Sequence, residues 1–487
     1  MKKIAPVYCW LSGDVAPVLA GEFEWDGGQG KFTYDDSFLT NGKAVPLDPV
    51  SLPLRRSKNI EQSFKGIFGV FSDSSADAWG KRVLEATYGE LDEFDVLEKS
   101  LDDGVGAIAI GNPDAKKSTI YSLDDIVVAA NKIKAYQTDD IPTELLAKLA
   151  PTTSIGGMKP KINIEYKGQM WLAKFIERGD SPYLPHAESA MLKLGKDCGI
   201  HTCQSEVALV TDDCYAILVK RFDREKVDDG FTRRGFASAH TMLRVSPLSG
   251  LKEKSYIRLA EEMKRWVNSA ELIDEKRELW RRVVFNALVG NTDDHSKNHG
   301  LLQDGRNWKL SPAFDIVPFQ HKRGHLALSM AFAQVDGKMS AVVSQESLLV
   351  NSNKFGYQKE EAEKILDDMA NIVKFGWRDR MSKEGMPPAV IDSFANSFSF
   401  ANEIGINHTQ DLIVNEADVE RGRYRGEVID DSGVKVTQHQ GKGTAVAHEK
   451  NRLLNDVQVG QKVEIGYKDG KGTVKSLENG KDVGQER

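Results

Sequence analysis

A polar loop between an apolar run and a compact hairpin constrains the fold of this chain more than any other part of it. Residues 283–289 are apolar except for Asn286 and are followed by a glycine, which predicts a buried helix that stops there. Residues 291–300 then read Asn-Thr-Asp-Asp-His-Ser-Lys-Asn-His-Gly. A hairpin over residues 301–310 turns at an Asp-Gly pair. It returns the chain so that Asp315 can face Asn298.

Three side chains around this hairpin are of the types that phosphoryl transfer from ATP needs. That reaction uses a carboxylate to accept the proton of the acceptor hydroxyl, and oxygen ligands that hold Mg²⁺ against the triphosphate. Asp293 is the candidate base, and Asn298 and Asp315 are the candidate metal ligands. A solvated polar loop with capping Asp and Asn residues is the alternative for either half of the motif. The two halves joined by a hairpin favour a kinase.

A rival chemistry uses the same loop. His295 and His299 are one helical turn apart and flanked by carboxylates, so they could ligate a transition metal in a hydrolase. No Glu follows His295 as in zinc proteases, and no third His is near. The pattern favours the kinase.

A small-residue and basic turn over residues 154–161 is the candidate loop over the nucleotide. Glycine lets backbone N–H groups approach phosphate oxygens, and lysines add charge. Taken alone, two adjacent glycines are more typical of an ordinary hairpin than of a phosphate loop. The candidate nucleotide-binding residues of this turn are Ser154, Ile155, Gly156, Gly157, Lys159 and Lys161.

Lys174 lies in an apolar strand pattern of Trp, Leu, Ala and Phe, where an ammonium group needs an anionic partner. The α- and β-phosphates of ATP fit, with Glu188 on the next helix as a candidate orienting carboxylate. A lysine on the solvated face of an edge strand is the alternative. Phe222 could pack on adenine while backbone groups near Lys220 bond the adenine edge, although core packing explains Phe222 equally well.

The chain is predicted to be α+β, with a two-lobed, protein-kinase-like arrangement. Short strands separated by turns open the chain, mixed strands and helices follow, and a helical region holds the Asp-rich loop. The predicted divisions are a β-rich region 1–112, an N-lobe-like region 113–222, a helical C-lobe 223–415 and a small, barrel-like β domain 416–487. The main helices are predicted over residues 186–199, 255–268, 274–290 and 359–377.

Composition agrees with a globular protein in a reducing compartment. Hydrophobic residues make up 40% and charged residues 28%, and the formal net charge of −7 gives no overall attraction to nucleic acid or anionic membranes. The four cysteines lack the spacing of a metal site or a disulfide scaffold. The apolar run 4–11 could open a secretory signal, but Ser-Gly-Asp at 12–14 reads better as a turn between strands. We therefore expect a cytoplasmic protein without a membrane span.

The order of these motifs resembles the HipA family, serine/threonine kinase toxins of bacterial toxin–antitoxin pairs. The resemblance rests on Ser-Ile-Gly-Gly with following lysines, the strand lysine, Arg-Phe-Asp-Arg at 221–224, Asp-Asp-His-Ser-Lys-Asn at 293–298 and Ala-Phe-Asp at 313–315. It covers about residues 4–400. It implies Mg-ATP as cofactor and protein substrates such as an aminoacyl-tRNA synthetase. It also implies a HipB-like helix-turn-helix antitoxin as partner. The chain would then contact DNA only indirectly, through that antitoxin.

Carried over to this sequence, the resemblance implies a role for each candidate. Asp293 matches the catalytic base, and Asn298 and Asp315 match the Mg²⁺ ligands. His295 takes the place of a phosphate-contacting Lys, with Lys297 beside it as a further ATP contact. Lys174 matches the phosphate lysine, Lys220 and Phe222 match the adenine hinge, and Ser154 matches the autophosphorylated serine. A phosphate on Ser154 would repel ATP.

Three points stay open in the sequence. Lys159 and Lys161 compete for one role, because the loop reads Met-Lys-Pro-Lys at 158–161. The region after about residue 416 weakly resembles a β module of plasmid-associated KfrB-type proteins. A kinase-fold co-repressor that acts with a DNA-binding antitoxin, or a small-molecule phosphotransferase, would share much of this pattern.

Overall fold

The chain divides into two compact units, Met1–Asn402 and Glu403–Arg487. The computed structural model describes residues 2–102, 104–116, 119–135, 137, 141–142, 145, 149, 161–176, 179–212, 214–246, 248–319, 326–404, 413–441 and 444–477. Within these ranges no helix is both long and apolar enough to span a bilayer.

The first sheet is antiparallel, with strand order β4-β3-β2-β1-β5. Its strands are β1 Lys3–Cys9, β2 Val18–Trp25, β3 Gly30–Tyr34, β4 Asn59–Glu61 and β5 Ile108–Ile110. Alternate side chains are buried, and Phe23 and Phe32 pack against Phe68, Phe71 and Phe94. The strands predicted at the start of the chain are confirmed.

Four helices belong to this first region: α1 Asp36–Leu39, α2 Gly69–Ser74, α3 Ala78–Tyr88 and α4 Glu93–Lys99. Asp77 caps α3 by accepting a hydrogen bond from the Gly80 backbone N–H at 2.9 Å.

The second sheet carries the predicted phosphate lysine and has strand order β6-β7-β8-β10-β9. Its strands are β6 Tyr121–Ser122, β7 Lys161–Tyr166, β8 Gln169–Phe175, β9 Ser205–Thr211 and β10 Cys214–Lys220. Helices α5 Leu123–Lys134 and α6 Leu184–Asp197 accompany it. β8 lies in the middle of the sheet, and Trp171, Ala173 and Phe175 contribute to one core cluster. A lysine on β8 is therefore not on a solvated edge.

The remainder of the first unit is mainly helical. Its helices are α7 Ala239–Leu243, α8 Tyr256–Glu262, α9 Leu272–Val289, α10 Gln345–Leu349, α11 Lys359–Lys383, α12 Pro388–Ser393 and α13 Ser399–Glu403. Its strands are β11 Arg224–Val227, β12 Gly230–Arg233, β13 Phe236–Ser238, β14 Gly300–Asp304, β15 Asn307–Leu310, β16 Ala333–Val335 and β17 Lys338–Ser340.

Short 3₁₀ turns occur in both units, at Phe64–Gly66, Pro113–Lys116, Met263–Arg265, Ser352–Phe355, Ala395–Phe398 and Lys450–Arg452.

The predicted main helices are present, with different ends. The helix predicted over residues 255–268 is too long: α8 stops at Glu262, and a 3₁₀ turn follows it. That tighter turn precedes Trp266 and Val267, which are both buried.

The second unit is a six-stranded sheet of order β18-β21-β20-β19-β22-β23. Its strands are β18 Ile413–Glu416, β19 Arg423–Asp431, β20 Lys435–Gly441, β21 Thr444–Glu449, β22 Lys462–Lys468 and β23 Lys471–Ser476. Its own core contains Val428, Val436, Val463, Ile465 and Tyr467. The architecture of the chain is thus mixed α+β. Among the described strands, the two end strands of this sheet, β18 and β23, do not pair with each other. The barrel-like part of the prediction is therefore not confirmed.

Candidate active site

The Asp-rich loop begins where α9 ends. Gly290 terminates α9 in the left-handed conformation, at φ 67°, which glycine adopts without steric cost. Asn291 then donates its backbone N–H to the Asn286 carbonyl at 2.8 Å and its side-chain N–H to the Asn286 side chain at 3.1 Å. The loop is therefore fixed at its first residue.

A buried cluster around Asp294 holds the middle of the loop. The Asp294 carboxylate accepts hydrogen bonds from the Tyr256 hydroxyl and from Asn286 Nδ2, the latter at 2.6 Å, and lies 2.8 Å from His299 Nε2. His299 is thus engaged with Asp294, while His295 is exposed. The described residues hold no group of three His, Cys, Asp or Glu side chains that could bind a metal.

Asp293 and Asn298 meet across this loop. Asn298 Nδ2 donates to the Asp293 backbone carbonyl at 3.3 Å, and the Asn298 N–H donates to the His295 carbonyl at 2.8 Å. The first contact leaves Oδ1 of Asn298 without a hydrogen-bond donor among the described residues. Asp293 itself is exposed, as are His295 and Lys297. A carboxylate in solvent beside an oriented amide oxygen can meet an incoming hydroxyl and a hydrated cation.

The hairpin β14–β15 brings Asp315 back to this loop. The Ser311 N–H donates to the Gly300 carbonyl at 2.9 Å and closes the open end of the hairpin. Asn298 lies just before this closure and Asp315 just after it. The Ala313 N–H is held in turn by the His201 carbonyl at 2.7 Å. Asp315 has φ 60°, a conformation that costs about 1 kcal/mol or more for a residue with a side chain and is concentrated at functional sites.

Lys174 joins the sheet to the helical region through two carboxylates. Its Nζ donates to Glu188 Oε1 at 2.7 Å and to Asp315 Oδ1 at 2.8 Å. The side chains of Lys174 and Glu188 are 9% and 5% exposed, whereas that of Asp315 is 43% exposed. Burial by itself would lower the pKa of Lys174, but the charges of Asp315 and Glu188 outweigh burial and raise it. Lys174 is therefore a fixed cation that joins β8 to the segment after the hairpin.

The predicted nucleotide loop is described only at its end. Ser154, Ile155, Gly156, Gly157 and Lys159 lie outside the described residues. Lys161 begins β7 directly opposite Lys174, which places both lysines on one face of the sheet. Its Nζ donates to the Asp77 carboxylate at 2.9 Å.

Two backbone N–H groups of the predicted adenine hinge already donate hydrogen bonds within the protein. The Lys220 N–H donates to the Gln204 carbonyl and the Arg221 N–H to the Met170 carbonyl, both at 2.9 Å. The ring of Phe222 is half-buried, 5.8 Å from the ring of Phe236 and 5.7 Å from that of Phe314. Phe222 thus packs beside the residue that precedes Asp315, and the adenine contact stays a prediction.

The sequence interpretation missed a buried cluster that ties the hinge to the first region. Asp223 accepts hydrogen bonds from Arg221 and Arg224 and from the Gly106 N–H, and both arginines also donate to the Gly104 carbonyl. Burial alone would raise the pKa of Asp223, but the two guanidinium groups outweigh it and lower the pKa. The Gly-rich stretch 104–113 therefore anchors the hinge and continues into β5.

A second missed contact links α2 to the Asp-rich loop. Asp73 accepts hydrogen bonds from the Ser238 N–H and hydroxyl and from the Thr241 hydroxyl, at 2.7–2.8 Å. The following backbone N–H groups, those of Ala239 and His240, donate to the carbonyls of His299 and Ser296. Sequence gave no signal for this contact, because the partners lie 165 residues apart.

The donor set fits a hard divalent cation. Mg²⁺ prefers oxygen ligands and usually takes one or two from the protein. The Asn298 amide oxygen and the Asp315 carboxylate supply two, on either side of the Gly300–Ser311 hydrogen bond.

Comparison with known proteins defines the class first: the fold is that of a HipA protein. HipA of Shewanella oneidensis MR-1, solved in complex with HipB and its operator DNA, superposes with a TM-score of 0.60 over 82% of this chain and 97% of that chain. At 18% identity this similarity shows the fold alone. The Helicobacter pylori proinflammatory kinase CtkA matches 53% of this chain and 94% of its own, at 14% identity and a TM-score of 0.36, which is too low for an argument.

Three family models match separate segments of the chain. The HipA N-terminal domain matches residues 14–111, the HipA-like C-terminal domain matches residues 153–377, and the KfrB domain matches residues 423–476. The chain is a HipA-like family member that carries a KfrB domain. A Haemophilus influenzae protein named "Putative kinase" is 22% identical over 178 residues, 34% of this chain. The chain spans about half the length of that relative, 52%.

Proposed function

We propose that this chain is an ATP-dependent serine/threonine protein kinase with a two-lobed, kinase-like first unit. The observation that carries the proposal is the ion cluster in which Lys174 binds both Glu188 and Asp315. A sheet lysine oriented by a helix glutamate, facing the aspartate of a metal pair, is the arrangement that protein kinases use to hold phosphates and Mg²⁺. The kinase name of the Haemophilus influenzae relative agrees with it.

Each residue has a chemical task in this proposal. Asp293, exposed at the loop, accepts the proton of the acceptor hydroxyl as that oxygen bonds to the γ-phosphorus. The bond from the γ-phosphorus to the bridging oxygen breaks, and ADP leaves with its electron pair. Lys174 holds the α- and β-phosphates, and Glu188 keeps its ammonium group in place. Asn298 and Asp315 hold Mg²⁺, which neutralises developing charge on the phosphates when it is bound. His295, Lys297 and Lys161 supply further phosphate contacts at the rim.

The remaining predicted positions complete the nucleotide site. Phe222 and the backbone at Lys220 take the adenine, with carbonyl groups as partners because the Lys220 N–H is already used. The loop from Ser154 through Lys159 covers the phosphates, and Ser154 is an acceptor of autophosphorylation. A phosphate there would oppose ATP binding by charge repulsion.

The biological context is a separate part of the proposal. We propose that the protein is the toxin of a toxin–antitoxin pair in the cytoplasm, with a HipB-like antitoxin as partner and a translation-related protein, such as an aminoacyl-tRNA synthetase, as substrate. The solved HipA relative was captured with HipB and operator DNA.

Transfer of γ-labelled phosphate tests the catalytic proposal. Wild-type protein should label itself, with Ser154 as the labelled residue, in a reaction that depends on Mg²⁺. Asp293→Ala should lower the transfer rate by about 10²–10⁴-fold while ATP binding survives. Asp315→Ala should abolish Mg²⁺-dependent ATP binding. Asp304→Ala is the matched control, because Asp304 lies at the far end of the same hairpin, and it should behave as wild type.

Two results would overturn the proposal. One is loss of ATP affinity, rather than rate, as the main effect of Asp293→Ala. The other is a wild-type protein that transfers no phosphate to itself or to lysate proteins, yet represses an operator together with an antitoxin. The operator complex of the solved HipA relative favours that co-repressor as the second candidate.

A further inference from the structure

One face of the second unit carries cations that have no partner of opposite charge. Tyr424, Val463, Ile465 and Tyr467 point into the core of this unit. Because side chains alternate along a strand, the residues between them on β19, β22 and β23 point away from the core. This outer face carries six cations, which are Arg423, Arg425, Lys462, Lys468, Lys471 and Lys475. We call it the cationic face.

Strand register brings these cations together. Arg425 lies opposite Glu464, which lies opposite Lys475 on the next strand. The side chains of Arg423 and Arg425 are 71% and 69% exposed, and both pair with the same carboxylate, Glu464. The hydrogen bond from Arg425, together with the other nearby cations, lowers the pKa of Glu464. Glu464 is thus the shared salt-bridge partner of two cations, Arg423 and Arg425, and lies opposite a third, Lys475.

Like charges also face each other directly on this surface. Lys468 pairs with Lys471 across β22 and β23. Opposed like charges on one face of a sheet destabilise it. Neither lysine has a carboxylate within salt-bridge distance among the described residues, and neither do Lys462 and Lys475, although Glu427 lies opposite Lys462 on this face. The arrangement therefore costs folding stability, and a bound anion would remove that cost.

Three cations elsewhere in the second unit are paired: Lys435 with Glu416 at 2.7 Å, Lys450 with Asp431 at 2.8 Å and Arg452 with Glu449 at 2.6 Å. Five cations in the described part of this unit have no ion pair. Four of them lie on β22 and β23, and the fifth, Arg421, lies just before β19. This concentration of positive charge occurs in a chain whose formal net charge is −7. Segregation against the overall charge is typical of a binding surface rather than of a solvated face.

We propose that the cationic face binds the phosphate backbone of nucleic acid without reading its bases. The face is broad, exposed and multiply positive, which matches a polymer with one charge at each repeat. It presents lysine and arginine without the aromatic side chains that stack on bases, so charge carries the affinity. This departs from the prediction that DNA is reached only through an antitoxin, and it does not depend on phosphoryl transfer.

Two triple variants of the full chain, each losing three positive charges, test the inference. Lys468→Ala/Lys471→Ala/Lys475→Ala removes half of the cationic face. Lys435→Ala/Lys450→Ala/Arg452→Ala removes the same charge from paired positions. The probe is a fluorescein-labelled DNA duplex of mixed sequence, about 20 base pairs long, titrated between about 50 and 200 mM salt.

The face variant should bind at least about tenfold more weakly at the lowest salt. The slope of log affinity against log salt should fall in magnitude by about 2–3, because each phosphate contact contributes about 0.9. The control variant should keep the slope of the wild type. Circular dichroism of both variants verifies folding.

Several outcomes would overturn the inference. They are absence of binding by the wild type at low salt, equal loss in both variants, and unchanged binding by the face variant. Tighter binding of the same face to polyglutamate or to vesicles containing phosphatidylserine would assign it to an acidic protein or a membrane surface instead.

Discussion

Lys174 is the residue on which the geometry of the candidate site depends most. It is buried on a central strand, and its two carboxylate partners come from a helix and from the end of a hairpin. Glu188 is as deeply buried as Lys174, so each charge needs the other. Asp315 is more exposed and can turn to a metal without leaving a buried charge behind. This difference separates a permanent ion pair from an exchangeable one.

A double-mutant cycle measures that difference. Lys174→Met leaves Glu188 buried and unpaired, so the free energy of unfolding should fall by about 3–5 kcal/mol. Lys174→Met/Glu188→Leu should recover much of that loss, because an apolar pair of similar volume can replace a buried ion pair. Lys174→Met/Asp315→Leu should recover little. Tryptophan fluorescence during denaturant unfolding reads this out, since all eight tryptophans lie in the first unit. Equal recovery by both double variants would contradict the distinction.

His240 provides a pH-dependent contribution next to the Asp-rich loop. Burial, together with the nearby cations Lys297, His295 and Lys254, lowers its pKa to about 4. Below the ordinary histidine pKa of about 6.5 the unfolded chain takes up a proton that the folded chain refuses. Stability from this residue is therefore complete above pH ~6.5 and is lost as the pH falls toward ~4.

His240→Gln should remove this loss. The wild type should lose about 1–2 kcal/mol more of its unfolding free energy than the variant between pH ~6.5 and ~4, after allowance for solvent screening. Urea unfolding at a series of pH values measures the difference between the two proteins. Parallel pH profiles would show that His240 titrates normally.

The contact of α2 with α7 is the element-level feature that the site depends on. Asp73 at the end of α2 holds Ser238 and Thr241 at the start of α7, and the next residues hold the Asp-rich loop. The helices approach closely because α2 begins at Gly69. A Cβ atom there would lie 2.4 Å from the Thr241 side chain. The first region of the chain thus reaches the candidate catalytic loop in two steps.

If the chain is a kinase, Asp73 is a positioning residue and should affect rate more than nucleotide affinity. Asp73→Ala should lower kcat by about 10–100-fold with little change in the KM for ATP, because small displacements of a catalytic group are costly. Asp73→Asn keeps one acceptor oxygen and should fall in between. Asp36→Ala, an exposed carboxylate of the same region, is the control. If the wild-type protein is active and Asp73→Ala has the same kcat, the positioning role of Asp73 is refuted while the proposed kinase function stands.

Elements with strong periodicity were predictable, and buried polar contacts were not. The helix predicted over residues 359–377 is present as α11, because its apolar positions repeat at helical spacing. β20 lacks such a pattern, because Lys435–Gly441 is mostly polar. Its Gln438 is fully buried and donates to two backbone carbonyls, of Gly426 on β19 and of Val463 on β22. Sequence alone could not separate that glutamine from an exposed one.

The same limit applies to the site. Asp293, Asn298, Asp315 and Lys174 follow from residue type and order. The loop supports, Asp73, Asp223 and Asp294, look like ordinary surface acids in the sequence. All three take donors from other elements. The pKa of Asp73 is raised by burial, and that of Asp223 is lowered by charges that folding brings near. Contacts that form only on folding leave no pattern in the local sequence.

At the scale of the whole chain, the two units have separate cores. The apolar cluster of the second unit contains only its own residues, and the helices and sheets of the first unit bury theirs elsewhere. Residues that share a core unfold together, so a substitution in the core of one unit should destabilise that unit and leave the stability of the other unchanged.

Ile465→Ala and Leu288→Ala test this separation, because both side chains are fully buried, one in each unit. Each should destabilise its own unit by about 2–5 kcal/mol through lost burial and the cavity that remains. Hydrogen–deuterium exchange of peptides, read by mass spectrometry, follows both units in one experiment. Ile465→Ala should speed exchange only in β19–β23 and leave the tryptophan transition unchanged, whereas Leu288→Ala should do the opposite. If either substitution weakens protection across both units, the chain unfolds as one cooperative body and the separation of cores has no thermodynamic consequence.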